Sequence, residues 1–224
     1  MQITWQMNTA LLMKKKNKKT QENMNTQPIT FTDRLRKLFQ KVLDGIASFL
    51  LKLGLSPNAV TIIGCLGNLI AAYLIARGFL TWGGLVALFW VLFDAFDGSM
   101  ARQSGKVSKF GAFLDSTLDR YAELFIFGGL LIFFFNQGSF WGVLLTFAAA
   151  GGSLMVSYAR ARAQSLGYEA KIGLLSRVER FLVLIPCLLF HIPLIAMIIM
   201  AFFTNLTSIQ RIIYVYKTSK TASE

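Results

Sequence analysis

Residues 94–119 read DAFDGSMARQSGKVSKFGAFLDSTLD, and they place Asp94, Asp97, Asp115 and Asp119 inside otherwise apolar sequence. A carboxylate within a transmembrane segment costs about 2.5 kcal/mol or more on insertion scales. Four of them within 26 residues therefore require a compensating partner. Divalent cations bind carboxylate oxygens and are the expected partner. The stretch thus predicts a metal site at membrane depth.

The composition around this stretch is typical of an integral membrane protein. Of the 224 residues, 54% are hydrophobic, 15% are charged and 20 are phenylalanine. Because a helix needs about 20 apolar residues to cross a bilayer, the apolar segments predict six transmembrane helices. We place them at about 59–76, 82–101, 110–135, 140–158, 174–190 and 192–213. The predicted fold is an all-α membrane protein.

Three other segments flank the predicted six-helix catalytic domain at 55–216. Residues 1–30 are rich in Asn, Gln, Thr and Lys, and we interpret them as a disordered basic arm attracted to anionic headgroups. This arm lacks interleaved aromatic residues, so no nucleic-acid partner is expected. Residues 31–54 carry an apolar stripe at helical spacing beside a basic face, which predicts a juxtamembrane amphipathic helix, lying in the membrane interface or packed on the bundle. Residues 217–224 are interpreted as a cytoplasmic tail.

The positions of Lys and Arg predict the orientation of a multi-pass protein of the cell membrane. The segments 102–109 and 159–177 and the C-terminal tail are basic, whereas the opposite connections contain only Arg77. The positive-inside rule then puts both termini, and the aspartate stretch, toward the cytoplasm.

Helical spacing places the aspartates and several very small residues on two facing stripes. The second predicted span presents Asp94, Asp97, Gly98 and Ala101, and the third presents Gly111, Asp115 and Asp119. The spans are antiparallel, so the two stripes can oppose each other across a gap wide enough for a bulky polar ligand. Mutual repulsion of the carboxylates favours one or two Mg²⁺, which prefers to share phosphate oxygens, so a phosphorylated or diphosphate substrate is expected.

The whole string from Asp94 to Asp119 resembles the signature of the CDP-alcohol phosphatidyltransferase family, including the eight-residue gap after Arg102. The resemblance covers residues 31 to about 216. It implies six transmembrane helices after an interfacial helix, and a homodimer. It also implies transfer of a phosphatidyl group from a CDP-linked lipid, CDP-diacylglycerol or an ether-lipid equivalent, to an alcohol, with release of CMP.

The family pattern implies a role for each matching residue. Asp94, Asp97 and Asp115 match the ligands of one metal ion, and Asp94, Asp115 and Asp119 match those of a second, so two Mg²⁺ are implied, with Mn²⁺ as an alternative. Asp119 also matches the base that takes the proton from the attacking hydroxyl. Contact with the CDP-lipid is implied for Asn58, Thr61, Gly98, Ala101, Arg102 and Ser108.

The acceptor is implied by sequence outside the shared signature. The string Leu114-Asp115-Ser116-Thr117-Leu118-Asp119-Arg120 resembles phosphatidylinositol phosphate synthases and their archaeal-lipid counterparts. Phosphatidylglycerophosphate synthases typically have Asp-Pro-x-x-Asp-Lys. The implied acceptor is inositol 1-phosphate, whose phosphate would be bound by Arg160, Arg180 and Arg211. We interpret Arg162, Lys171 and Arg177 as membrane anchors or surface residues.

Two alternatives remain open from the sequence. The same chemistry is compatible with glycerol 3-phosphate, serine or another headgroup alcohol as acceptor. Intramembrane carboxylates also occur on the ion paths of transporters, where no chemistry takes place. An internal repeat would favour the transporter, and the sequence contains no visible one.

Overall fold

The structure is a computed structural model that describes residues 44–105, 107–170 and 172–221, without the side chains of Ala95, Asp97 and Thr221. All regular secondary structure within these residues is helical. The segment 44–52 is the described part of α1. It is followed by α2 Pro57–Ala76, α3 Leu80–Gln103, α4 Lys109–Asn136, α5 Phe140–Ser165, α6 Arg177–Leu189 and α7 Pro193–Thr221. Each of these six helices overlaps one predicted span, and the all-α fold class is confirmed.

Four helices are long and apolar enough to cross a membrane: α2, α3, α5 and α7. Helix α4, with 28 residues, is long enough to cross a membrane, but it includes Asp115, Asp119, Arg120 and Glu123. Helix α6 has 13 residues. At 1.5 Å per residue it is about 20 Å long, which is shorter than the roughly 30 Å hydrocarbon core. The chain is therefore an integral membrane protein, and the count of six spans stays a prediction.

Serine caps define where several helices begin. Ser56 precedes Pro57, and its Oγ accepts a hydrogen bond from the backbone N–H of Ala59 at 3.2 Å. Ser108 does the same for Gly111 at 2.9 Å, and Ser139 for Gly142 at 3.2 Å. Each cap satisfies a backbone donor that the first helical turn leaves unpaired. Helix α2 thus begins two residues before the start predicted at about residue 59.

Two helices continue past their predicted ends. Helix α5 extends to Ser165 and α7 to Thr221, beyond the predicted ends at 158 and 213. The α5 extension, 159–165, is rich in Ala, Arg and Gln, which are good helix formers. The α7 extension contains two lysines among Tyr, Val, Thr and Ser, so helix propensity alone does not explain it. Arg160 therefore lies on a helix and not in the predicted loop, and the predicted tail at 217–224 begins inside α7.

Glycines allow the helices of the bundle to pack closely around α2. Helix α2 lies against both α3 and α4, α5 lies against α4 and α7, and α6 lies against α3 and α7. A Cβ atom on Gly129 of α4 would stand 2.4 Å from the carbonyl oxygen of Ala72, and one on Gly67 would stand 1.9 Å from the Trp90 ring. Helices α3 and α4 are thus both held against α2.

The described part of α1 packs on this bundle. Ala47 and Leu50 are buried with Val60 and Met100, while Phe49 and Leu53 are exposed. One apolar face thus contacts protein and other apolar side chains face outward, which fits the amphipathic pattern. The predicted basic arm at 1–30 and the first part of the predicted helix at 31–54 lie outside the described residues.

Candidate active site

Three of the four aspartates meet where α3 and α4 face each other beside α2. Asp94 comes from α3, and Asp115 and Asp119 come from α4, one helical turn apart. Each offers one carboxylate oxygen, and the three oxygens lie within 4.8 Å of one another. The sequence prediction that the two stripes oppose each other is therefore correct for these residues. The Asp97 side chain lies outside the described part of the structure.

This donor set fits a divalent metal ion. It consists of hard carboxylate oxygens, which are the ligands that Mg²⁺ and Mn²⁺ prefer. The Oδ1 atom of Asp119 is buried and accepts no hydrogen bond within the described residues, although Nη1 of Arg177 lies 2.7 Å from it. Half-buried carboxylates placed so close together repel each other unless a cation neutralises them. The cluster is thus suited to bind a divalent cation.

Arg177 contacts two of these carboxylates, and the interpretation of this residue as an anchor or surface residue was wrong. Its Nη1 atom donates a hydrogen bond to Oδ2 of Asp94 at 2.9 Å and lies 2.7 Å from Oδ1 of Asp119. A sequence signal for this position existed. Arg177 precedes Arg180 by three residues, so both share the helix face that Arg180 turns toward the apolar bundle.

A pocket of about 210 Å³ opens beside the carboxylates. It is lined by residues of α2, α3, α4 and the loop between α3 and α4. All six residues with an implied CDP-lipid contact line it: Asn58, Thr61, Gly98, Ala101, Arg102 and Ser108. Asp115 lines the same pocket, so the pocket is continuous with the carboxylate cluster.

The pocket wall at Gly111 has little room for a side chain. A Cβ atom at this position would stand 3.1 Å from Oγ of Ser108 and 3.3 Å from Oδ1 of Asn58, so a larger residue would press on both. Across the pocket, Arg102 donates a hydrogen bond from Nη2 to Oγ of Ser99 at 2.9 Å. Its positive charge therefore lies in the pocket lining, where it suits an anionic ligand.

The three arginines predicted to bind the acceptor differ in their surroundings. Arg180 is 2% exposed and binds Glu123 through both Nε and Nη2, at 2.6 and 2.9 Å. Arg211 is 4% exposed and donates to the carbonyl oxygens of Ile172 and Val156. Arg160 is exposed. Of the three, Arg180 and Arg211 are thus bonded within the protein, and Arg160 alone has an exposed side chain.

Glu123 is a polar residue of this region that the sequence reasoning missed. It is 6% exposed and lies one helical turn after Asp119 on α4. Its role could not be inferred from the sequence, because its partner Arg180 lies far away in the chain and is brought to it only by the fold. The pair joins α4 to α6 one turn away from the carboxylate cluster.

A larger groove of about 830 Å³ separates α4 from α5. Its walls carry polar side chains that include Ser116, Arg120, Tyr158 and Arg160. Arg120 connects the groove to the cluster, because its Nη1 lies 3.7 Å from Oδ2 of Asp119 and donates to the carbonyl oxygen of Ser116. A polar molecule in the groove would therefore lie next to Arg160 and to Arg120, the residue that reaches Asp119.

Comparison with known proteins agrees with this geometry. Residues 54–209 match the family model for CDP-alcohol phosphatidyltransferases. The chain belongs to the CDP-alcohol phosphatidyltransferase family. As a member of this family it is a transferase, and the matched residues include the carboxylate cluster, Arg177 and the pocket beside it.

Several curated proteins are similar to this CDP-alcohol phosphatidyltransferase. A phosphatidylinositol phosphate synthase of Streptomyces avermitilis is 40% identical over 152 residues, which cover 66% of this chain and 62% of that protein. The chain thus spans less than two thirds of that relative's length. An archaetidylinositol phosphate synthase of Pyrococcus horikoshii is 37% identical over 180 residues, which cover 80% of this chain and 93% of that protein.

Solved structures of one family member are also similar. The phosphatidylinositol phosphate synthase of Mycobacterium tuberculosis with CDP-DAG bound has a TM-score of 0.75 at 32% identity, covering 79% of this chain and 94% of that one. The same protein in complex with manganese and citrate has a TM-score of 0.70 at 32% identity, covering 78% and 88%.

Proposed function

We propose that this chain transfers a phosphatidyl group from a CDP-linked lipid to the hydroxyl of inositol 1-phosphate, giving phosphatidylinositol phosphate and CMP. The observation that carries the proposal is the continuity of the pocket of about 210 Å³ with the carboxylate cluster through Asp115. The names of the similar proteins, which include synthases of phosphatidylinositol phosphate and archaetidylinositol phosphate, support the acceptor. They leave both an ester and an ether lipid as donors.

The metal requirement is assigned to two Mg²⁺ held by the four aspartates. Asp94, Asp115 and Asp119 supply the described oxygens of this set, and Asp97 completes it by its position in the signature. When bound, the ions supply positive charge to the diphosphate and so stabilise the departing CMP. The binding of manganese by the Mycobacterium tuberculosis protein supports a divalent ion in this position.

Asp119 is assigned as the base. Its carboxylate lies 3.7 Å from Arg120, which lines the polar groove, so an acceptor that extends from the groove past Arg120 would bring its hydroxyl to Asp119. The hydroxyl proton passes to Asp119 as the acceptor oxygen bonds to the lipid-bearing phosphorus. The bond between that phosphorus and the CMP oxygen breaks, and CMP leaves. Asn58, Thr61, Ser108 and Arg102 hold the nucleotide during this transfer.

The acceptor phosphate is assigned to the arginine group. Arg160 stands exposed on the groove, while Arg180 and Arg211 are buried on α6 and α7. A guanidinium binds a phosphate through paired N–H donors, which Arg160 can offer directly to a molecule in the groove. Arg180 and Arg211 bind protein acceptors, Glu123 among them, and must exchange these acceptors to bind a phosphate.

Two further assignments complete the proposal. The excess of Lys and Arg on one set of connections supports an active site that faces the cytoplasm, as the positive-inside rule describes. The family resemblance supports a homodimer, which light scattering of the purified protein in detergent would test. A monomer by that measurement would contradict the dimer without affecting the chemistry.

The test of the function is release of CMP by the purified full chain in detergent with Mg²⁺. CDP-diacylglycerol and its archaeal ether-lipid equivalent are compared as donors, and inositol 1-phosphate, free inositol, glycerol 3-phosphate and serine as acceptors. We expect release that requires inositol 1-phosphate. Release with another acceptor alone would overturn the acceptor assignment, and no release by folded protein with any pair would overturn the transferase reaction.

A further inference from the structure

Arg177 contacts two residues of the carboxylate cluster. One nitrogen, Nη1, lies 2.9 Å from Asp94 and 2.7 Å from Asp119, the two residues that come from opposite sides of the gap. We propose that Arg177 is the resident counter-cation of this cluster, and that its guanidinium and the divalent metal compete for the same carboxylates. The inference rests on the proposed function only in requiring that the cluster binds a divalent metal.

The competition follows from the carboxylates that are shared. The oxygens that face Nη1, Oδ2 of Asp94 and Oδ1 of Asp119, belong to two of the three carboxylates that form the metal donor set. A divalent ion needs direct contact with such oxygens. It would also repel a guanidinium in contact with the same two groups, most strongly in a site shielded from water. Metal binding must therefore displace Arg177 from at least one carboxylate.

The contacts of Arg177 with the two carboxylates are made through one atom, Nη1, so one movement of the side chain breaks both. Its Nε atom is buried and has no hydrogen-bond partner within the described residues, and its side chain is 31% exposed. Arg177 is the first residue of α6, so its side chain can move without disturbing a helical turn before it. The Phe181 ring, 5.9 Å from the guanidinium carbon, is its other neighbour on that helix.

Arg180, one turn further along α6, is buried and held by several contacts. Its side chain is 2% exposed, and it is fixed by Glu123 and by the carbonyl oxygen of Leu175. Two successive ion pairs thus join α4 to α6. The pair of Glu123 and Arg180 is permanent, and the pair of Asp119 and Arg177 is exchangeable. The permanent pair keeps α6 in place when Arg177 leaves the carboxylates.

The counter-cation has a physical purpose in the metal-free protein. Clustered carboxylates without a cation would destabilise the folded state, because each lacks the water that solvates it elsewhere. Arg177 supplies the missing charge, so it stabilises the metal-free protein. By the same contacts it lowers the affinity for the metal, because the ion must first replace it.

The test measures Mn²⁺ binding directly, by electron paramagnetic resonance of the free ion, on purified full chain in detergent without substrate. Arg177→Gln removes the competing charge. The matched control is Arg162→Gln, which removes the same charge from an exposed arginine that bonds to Ser165. We expect Arg177→Gln to lower the Mn²⁺ dissociation constant at least about fivefold relative to Arg162→Gln, the lower end of typical coupling between competing ligands.

A second readout uses thermal unfolding. In EDTA we expect Arg177→Gln to unfold at a lower temperature than Arg162→Gln, and saturating Mn²⁺ should narrow that difference. If Arg177→Gln does not fold without metal, Arg177→Lys carries the test, because the Lys side chain is one bond shorter than the path to the Nη1 that contacts both carboxylates. Its affinity for Mn²⁺ should exceed that of the wild type.

The outcomes separate this inference from the proposed function. Wild-type protein that binds Mn²⁺, together with variants at Arg177 that bind it no more tightly than Arg162→Gln, would overturn the competition alone. An absence of Mn²⁺ binding by the wild type and by every variant would overturn the metal requirement of the proposed function, and the inference with it.

Discussion

Asp119 has more charged neighbours than a metal ligand alone needs. Arg177 lies 2.7 Å away, Arg120 lies 3.7 Å away, and the polar groove begins beside them. If Asp119 is the base, then Asp119→Asn keeps the shape of the site but has no carboxylate to take a proton. We expect kcat for CMP release to fall about 10²- to 10⁴-fold, the usual range for loss of a general base.

The measurement pairs turnover with binding of the CDP-lipid, which Asp119→Asn should largely retain. Asp44→Asn is the matched control, because Asp44 lies on α1 and its backbone carbonyl accepts a hydrogen bond from Gln103. This control should keep wild-type turnover. Full activity of Asp119→Asn would remove the residue from the role of base.

Glu123 and Arg180 form a buried ion pair between α4 and α6. Glu123→Gln leaves the guanidinium of Arg180 without its counter-charge in a site that is 2% exposed. Breaking a buried ion pair from one side typically costs about 3–5 kcal/mol, so the melting temperature should fall clearly. Exposed Glu169→Gln, the matched control, should change stability by less than about 0.5 kcal/mol.

The same pair tests the acceptor assignment through kinetics. With the orientation of Arg180 lost, we expect KM for inositol 1-phosphate to rise more than KM for the CDP-lipid. Equal rises in both constants would assign the pair to stability alone. If the melting temperature of Glu123→Gln equals that of the wild type, the variant does not leave the charge of Arg180 buried and uncompensated.

At the scale of elements, the position of the aspartates depends on how closely α4 approaches α2. Gly128 and Gly129 are adjacent on α4, yet a Cβ on Gly129 would stand 2.4 Å from the Ala72 carbonyl oxygen, whereas one on Gly128 meets nothing within 4 Å. Gly129→Ala should therefore push the helices apart and destabilise by about 1–3 kcal/mol. Gly128→Ala is the control for helix propensity and should be neutral or slightly stabilising.

Activity gives this prediction a second readout. Because Asp115 and Asp119 are on α4, displacement of the helix in Gly129→Ala should lower CMP release as well as the melting temperature, both compared with Gly128→Ala. If the two alanine variants behave alike, the close contact between α2 and α4 is not what fixes the site.

The elements also show what can be predicted from sequence. Apolar length predicted six helices near their observed positions, because this signal is local. The ends of α5 and α7 were missed, since a helix can continue past its apolar segment without any apolar signal. The pairing of Arg177 with Asp94 was missed because it joins residues 83 apart in the chain. The aspartate stripes were predicted correctly because their helical spacing fixes which side chains share a face.

At the scale of the whole molecule, charge is distributed unequally between the two ends of the bundle. One end carries Arg102, Lys109, Arg162 and Lys217, while the connections at the other end carry Arg77. Since cytoplasmic connections are enriched in Lys and Arg, the end with the carboxylate cluster should face the cytoplasm. The loop at 104–108 and the loop at 137–139, before and after α4, should then lie on opposite sides of the membrane.

Single cysteines test this orientation with a membrane-impermeant maleimide. The two native cysteines are free thiols, so Cys65→Ala and Cys187→Ala provide the background. In that background we expect Gln137→Cys to be labelled on intact cells, and Ser104→Cys to be labelled only on inside-out vesicles. The reverse pattern would place the active site outside, contradicting the proposed cytoplasmic site. Labelling of both positions from one side would show that α4, with its charged residues, does not cross the membrane.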